Sequence, residues 1–156
     1  MEPLLAAIQA SDLATALRFS RWSYAAVNTC HVLGIALLIG AIIPLDLRLL
    51  GAWPSVEQRT LVRVLTPLAA FGLMLAVTAG LLLFSARAVE YAALGVFRLK
   101  LALILLGATS AIVMHATYGA LLEHARPSVL RLAALLSMSC WIGALIAGRL
   151  IAFLAD

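Results

Sequence analysis

His31 is an ionisable side chain inside an apolar stretch that runs from Val27 to Leu45. An imidazole in hydrocarbon costs free energy unless it has a partner, a metal or a water-filled cavity, so it marks a candidate functional site. Gly34 follows one helical turn later on the same face and would leave space for a flat group. Imidazole binds haem iron, and arginines bind carboxylates such as propionates. We therefore expect a b-type haem at His31; the alternative is a neutral histidine hydrogen-bonded to a neighbouring helix.

Two cationic side chains are expected in the same half of the membrane as His31. At about 1.5 Å per residue, His31 lies roughly 10–14 Å below the surface on which residues 1–21 lie, here called side A. Lys100 lies roughly 5–9 Å below that surface, and its long stem can reach toward His31. Arg149 falls in the last turns of the fourth apolar stretch, also on side A. For Lys100 and Arg149 the alternative is that each side chain extends to the lipid headgroups.

The second histidine in an apolar stretch, His115, belongs to the opposite side, called side B. It follows Lys100 by 15 residues, or roughly 22 Å along the same helix. His31 and His115 are therefore poor candidates to bind one haem from its two faces. We interpret His115 as a core histidine, with metal binding as its alternative role. Asp46 and Arg48 predict an ion pair where the first span leaves the membrane.

The composition is that of a membrane protein with several spans. Hydrophobic residues make up 65% of the 156 residues and charged residues 12%, against about 25% charged in a soluble domain. Four stretches are long enough to cross a bilayer. The predicted fold class is all-α: one transmembrane domain, residues 1–156, forming an integral membrane four-helix bundle. A short N-terminal interfacial segment from Pro3 to Phe19, of one or two helices, precedes spans at about 22–45, 61–84, 94–122 and 129–154.

Caps and small residues indicate how the helices begin and pack. Ser11 and Ser128 are predicted N-caps, and Ser55 with Gln58 predicts a capping box before the second span. Small residues at a spacing of four allow helix backbones to approach closely, within this bundle or in a homo-oligomer. These pairs and triplets are Ala36/Gly40, Gly72/Ala76/Gly80, Gly107/Ala111 and Ala144/Gly148.

The charges are distributed as expected for anchoring in membrane lipid. The net charge of +4 comes from 11 Lys and Arg against 7 Asp and Glu, placed mostly at the ends of the spans. No basic block indicates nucleic acid as a partner. Six basic residues flank the spans on side A and five on side B, so the positive-inside rule gives no orientation. The sequence also contains no HExxH, CxxC, P-loop or dinucleotide-binding fingerprint.

Several segments resemble a group of bacterial four-helix membrane proteins of unknown activity. The similarity begins with His31-Val-Leu-Gly34, Gly40 and the segment Asp46-Leu-Arg-Leu-Leu-Gly51. It continues through the third span, with Thr66-Pro67, Thr78-Ala-Gly-Leu-Leu-Leu-Phe84 and Phe97-Arg-Leu-Lys100. The resemblance covers about two thirds of the chain. It implies a multi-pass protein of the bacterial inner (cytoplasmic) membrane.

A more distant similarity runs to the HemJ-type protoporphyrinogen oxidases and to the membrane domain of copper-resistance D proteins. His31, Pro67, Lys100 and Arg149 match a histidine, proline, lysine and arginine that recur in the HemJ-type family. The resemblance implies haem b as cofactor and functional roles for His31 and Lys100. The exit from the first span, Pro44-Leu-Asp46-Leu-Arg48, and the position of His115 depart from that family's pattern.

The sequence thus predicts a membrane redox protein that binds haem b. His31 would be an axial ligand, Lys100 a second ligand or a pocket residue, and Arg149 and Arg98 propionate partners. Electrons would pass between a quinol or porphyrinogen and another carrier or partner protein, and an enzyme of this kind would be an oxidoreductase. Two alternatives are transport of copper or another metal, with His31 as a transit ligand, and a non-catalytic anchor subunit of a larger complex.

Overall fold

A computed structural model of the protein describes residues 2–154, and these contain seven helices and no strand. Four of the helices, α3, α4, α6 and α7, are long and apolar enough to cross a membrane. The predicted all-α, four-helix membrane fold is therefore confirmed. The helices are α1 (Glu2–Gln9), α2 (Asp12–Phe19), α3 (Arg21–Leu50), α4 (Gln58–Ala86), α5 (Ala88–Ala93), α6 (Gly95–Tyr118) and α7 (Pro127–Leu154).

Helix α3 is central, because it packs on both α4 and α7. Its contact with α4 is backbone against backbone: a Cβ on Gly34 would lie 2.5 Å from the Ala76 nitrogen. A Cβ on Gly72 would likewise lie 2.6 Å from the Leu38 nitrogen. The prediction that small residues bring helices together is confirmed for Gly72 and Ala76. Gly40, by contrast, has no atom within 4 Å of the place a Cβ would occupy.

Helix α6 packs mainly on α7 and has the lowest buried share of the four spans. Gly107 of α6 lies against Trp141, since a Cβ there would be 3.1 Å from the Trp141 ring. The extensively packed pairs of spans are α3–α4, α3–α7 and α6–α7. Helices α4 and α6 therefore flank a gap in the bundle, although Phe84 and Phe97 stack near its side-A end with ring centroids 5.2 Å apart.

The N-terminal segment forms two short helices that cover the corner between α4 and α5. The N-cap at Ser11 is confirmed, since the Ala14 N–H donates to its hydroxyl at 3.3 Å. Helix α1 packs on α5, and α2 packs on α3 and α4. The outward side carries exposed apolar side chains at the expected membrane surface. They are Leu4, Leu13 and Phe19, and Trp22 at the start of α3 is exposed beside them in sequence.

Three details of the helix boundaries differ from the predictions. Helix α4 has Glu57 as its N-cap, without a side-chain cap, so the predicted capping box at Ser55 is wrong. Helix α7 begins at Pro127, which places Ser128 inside the first turn; proline suits this position because its missing N–H would be unpaired there. The third span ends at Tyr118, before Gly119 (φ 91°), and the short helix α5 lies in a region expected to be a loop.

Candidate functional site

The imidazole of His31 is held by the neighbouring helix. Its Nδ1 lies 2.7 Å from the carbonyl oxygen of Ala76 on α4. A carbonyl oxygen can only accept, so Nδ1 carries the proton and Nε2 carries the free lone pair. Histidines that bind metals show this arrangement, with one ring nitrogen donating to a carbonyl and the other free to ligate.

Gly80, one turn beyond Ala76, provides the space for this ring. A Cβ at Gly80 would lie 3.0 Å from Cε1 and 3.3 Å from Nδ1 of His31. Such distances are shorter than ordinary contacts, so any side chain at position 80 would displace the imidazole. The spacing Gly72/Ala76/Gly80 was expected to serve backbone packing alone. In the structure its last member accommodates the candidate ligand.

Lys100 lies inside the bundle, along α7. The place that a Gly148 Cβ would occupy is 3.4 Å from Nζ and 3.5 Å from Cε of Lys100. The side chain is half-buried. The structure therefore holds Lys100 against α7 and His31 against α4, both in the side-A half. Each of the two side chains rests on a glycine of the adjacent helix.

The other three predicted site residues lie differently. The space beside Gly34 is filled by the backbone of α4, so this glycine serves helix packing and leaves no room there for a macrocycle. Arg98 is exposed. Arg149 is also exposed, and its guanidinium carbon lies 4.9 Å from the centroid of the Phe153 ring. Within residues 2–154, neither arginine takes part in an ion pair, because Arg87–Glu90 is the one found there.

A second group of polar side chains surrounds a cavity of about 740 Å³ in the side-B half. Asp46 of α3 lines it and is only 5% exposed. Among residues 2–154, its Oδ2 atom has no hydrogen-bond partner, and neither has the buried Oγ1 of Thr66 on α4. Ser137 of α7 lies beside the Asp46 carboxyl. Sequence reasoning placed Asp46 at the membrane surface and did not identify this cavity.

The predicted ion pair between Asp46 and Arg48 is wrong. Residues two apart on a helix do not face each other. The carboxyl of Asp46 therefore points into the bundle, while the Arg48 guanidinium turns to the loop that follows α3. There Nε donates to the Val56 carbonyl at 2.7 Å and Nη2 to the Pro54 carbonyl at 3.4 Å. The separation of Asp46 and Arg48 by two residues in one helix could have excluded this ion pair from the sequence alone.

His115 lines the same cavity, at its side-B end. Its Nδ1 lies 3.1 Å from the carbonyl oxygen of Ala120, just beyond the end of α6. As at His31, this bond places the proton on Nδ1 and leaves the lone pair on Nε2. The separation of His31 from His115 agrees with the depths estimated along the helices, because His31 contacts the side-A half of α4 while His115 contacts the side-B loop.

No protein-family model, curated protein or solved structure matches this chain. In the part of the chain that the structure describes, no three side chains of His, Cys, Asp or Glu converge as a metal site would require. The candidate centre on side A is thus a single oriented imidazole with a lysine beside it.

Proposed function

We propose that this chain is a membrane redox protein that binds b-type haem through Nε2 of His31. The observation that carries the proposal is the hydrogen bond from Nδ1–H of His31 to the Ala76 carbonyl, at 2.7 Å. It fixes the ring orientation and leaves one nitrogen free as a ligand. A porphyrin supplies four nitrogens itself, so a single imidazole is enough to hold its iron from one side.

Of the residues predicted to surround haem at His31, the charged ones suit the cofactor, whereas Gly34 does not provide space for it. Because α4 fills the space beside Gly34, room for the porphyrin has to come from another face of the imidazole. Lys100 supplies an amine near His31, either as a second ligand or as a positive charge beside the cofactor. Arg98 and Arg149 are exposed in the side-A half, where guanidinium groups suit propionate carboxylates.

When bound, haem supplies reversible one-electron transfer. The chain's own contribution is to orient His31 through Ala76, to surround the cofactor with apolar helices and to place the Lys100 charge near it. Both burial and nearby charge adjust the reduction potential of a haem. We propose that electrons pass between a quinol or porphyrinogen in a bacterial inner membrane and another carrier.

The test is the reduced-minus-oxidised absorption spectrum of the protein purified in detergent from haem-replete cells. Wild type is expected to show Soret and α bands, and His31→Ala to lose them. His115→Ala is the matched control, because His115 is the other histidine within a span and also donates from Nδ1 to a carbonyl. It is expected to keep the bands. Loss of haem in His115→Ala with retention in His31→Ala would overturn the assignment.

Other results would replace the proposal with a different function. Stoichiometric copper without haem in the purified protein would favour metal transport. Purification together with a larger enzyme, while this chain carries no cofactor, would favour an anchor subunit. Metal analysis and gel filtration of the same preparation distinguish these two outcomes from haem binding.

A further inference from the structure

The gap between α4 and α6 forms a cleft in the side-B half of the bundle. The cavity of about 740 Å³ lies there and is lined by all four spanning helices. Large apolar side chains beside the gap are exposed, including Met74 on α4 (60%) and Ile112 on α6 (68%). In a bilayer these side chains face hydrocarbon. The cleft is therefore reached from the lipid phase.

Two polar atoms at this cleft lack partners. Asp46 is more than nine-tenths buried, and its Oδ2 accepts no hydrogen bond. The Oγ1 of Thr66, which lines the same cavity from α4, is buried and likewise unpaired. A buried polar group without a partner destabilises the folded protein, and more strongly when it is charged. A ligand with a hydrogen-bonding group would remove this cost.

The surroundings determine the chemistry of that ligand. Entry through hydrocarbon disfavours a charged molecule, because a charge in the bilayer is expensive. A hydroxyl group can donate to the Asp46 carboxyl and accept from the Thr66 hydroxyl, so it suits both unpaired atoms. The walls around them are apolar, with Leu38, Ile42 and Trp141 among them. The preferred ligand is thus an uncharged apolar molecule with a hydroxyl head.

We propose that the cleft between α4 and α6 binds a lipid-soluble hydroxyl compound, such as a phenol or quinol, whose hydroxyl bonds to Asp46 and Thr66. The cavity volume falls in the range of about 300–1,000 Å³ typical of small-molecule sites. The site is separate from His31 and does not depend on haem binding there.

Fluorescence quenching of Trp141 provides the test. Trp141 lines the cavity and is 4% exposed. In full-length protein carrying Trp22→Phe and Trp53→Phe, Trp141 is the sole tryptophan, because the chain has three. The probes are a brominated alkylphenol and its methyl ether, added to the protein in nanodiscs. They share one apolar body and differ in the hydroxyl donor.

We expect the phenol to quench Trp141 saturably with about tenfold higher affinity than the ether, since only the phenol can donate a hydrogen bond to the Asp46 carboxyl. Asp46→Leu is expected to abolish this preference. Thr66→Val should reduce it severalfold. Thr78→Val is the matched control, because Thr78 is on the same helix, is exposed and donates to the Met74 carbonyl at 2.8 Å; it should change nothing.

Three results would overturn the proposal. Equal quenching by phenol and ether would mean that acyl chains fill the cleft without recognition of a hydroxyl. Absence of quenching by either probe would mean that a second copy or another segment covers it. If both Asp46→Leu and Thr66→Val still bind the phenol more tightly than the ether, the hydroxyl does not bond to these two side chains. Thr66→Val keeps the test valid if Asp46→Leu does not fold, and haem spectra of the same samples report separately on His31.

Discussion

The Nδ1–H of His31 on α3 donates to the Ala76 carbonyl of α4 at 2.7 Å, so the imidazole is oriented by a helix other than its own. This bond depends on the close approach of the two backbones at Gly34, where a Cβ would lie 2.5 Å from the Ala76 nitrogen. The orientation of the candidate ligand is therefore coupled to helix packing. A change that separates α3 from α4 is expected to release His31.

Substitution of Gly34 tests this coupling. Gly34→Ala would place a methyl group against the α4 backbone, and overpacking of this kind costs about 1–3 kcal/mol. Gly40→Ala adds the same group to the same helix where nothing lies within 4 Å. We expect Gly34→Ala to lower the thermal unfolding temperature in detergent and to shift the NMR signals of the His31 ring nitrogens, and we expect Gly40→Ala to leave both unchanged or to raise the temperature slightly. Equal behaviour of the two variants would contradict the coupling.

Substitution of Gly80 tests the hydrogen bond between His31 and the Ala76 carbonyl by crowding the imidazole directly. Gly80→Ala would place its Cβ 3.0 Å from Cε1 of His31, and the ring has to move away. We expect the His31 ring nitrogens to change their NMR shifts as the bond to the Ala76 carbonyl lengthens. Gly95→Ala is a suitable control, since it too has nothing within 4 Å. An unchanged His31 spectrum in Gly80→Ala would show that the ring is not confined there.

The charge of Lys100 is expected to raise the midpoint potential of a haem at His31. A nearby positive charge favours the reduced state, which carries one positive charge fewer. Charges a few ångströms apart interact by about 1–4 kcal/mol at effective dielectrics of 80 to 20, and 1.4 kcal/mol corresponds to about 59 mV for one electron. Lys100→Met should lower the potential by several tens of millivolts in a redox titration. Arg131→Met, which removes an exposed charge in the side-B half, should have a smaller effect, and a larger one would contradict the placement of Lys100.

The sequence predicted the fold well because length and hydropathy alone determine where helices cross a bilayer. The depths of His31, Lys100 and His115 followed from the rise per residue. Which face each side chain occupies was harder to predict, since α3 and α6 are apolar around their whole circumference. Gly34 illustrates the difficulty: a glycine beside a histidine leaves space for a cofactor or for another helix, and only tertiary packing distinguishes the two.

Asp46 and Arg48 should behave as energetically independent residues. Asp46 faces the cavity, whereas Arg48 donates to the carbonyls of Val56 and Pro54. Arg48→Ala is expected to destabilise the α3–α4 hairpin by about 1 kcal/mol through these lost bonds. In a double-mutant cycle with Asp46→Asn, the coupling should stay within about 0.5 kcal/mol. A larger coupling energy would show that Asp46 and Arg48 do form the ion pair predicted from the sequence.

Glu123 gives the loop between α6 and α7 a pH dependence. A hydrogen bond from its own backbone N–H lowers the pKa of the Glu123 carboxyl below the ordinary 4.5, although desolvation acts in the opposite direction. The Leu121 N–H, 3.0 Å from Oε2, lowers this pKa further. Because the pKa of Glu123 is lower in the folded protein than in the unfolded chain, the carboxylate stabilises the loop fully at pH values above its pKa in the unfolded chain. This stabilisation is lost as the pH falls through the pKa in the folded protein. As the pH falls through that range, we expect the Leu121 amide to lose protection, measured as its exchange rate relative to the intrinsic rate at each pH. In Glu123→Gln, the protection of the Leu121 amide should no longer change with pH. If the variant shows the same pH dependence of protection as wild type, the carboxylate does not have this role.

Rescue of haem binding by imidazole in the variant His31→Gly tests the central proposal most directly. The proposal predicts that wild type contains haem in stoichiometric amount, that His31→Gly contains little, and that imidazole added during reconstitution restores the Soret and α bands. Imidazole should have no such effect on His115→Gly, which is expected to bind haem without it. Haem-free wild type, or a His31→Gly protein with a full haem content and an unaltered spectrum, would contradict the account.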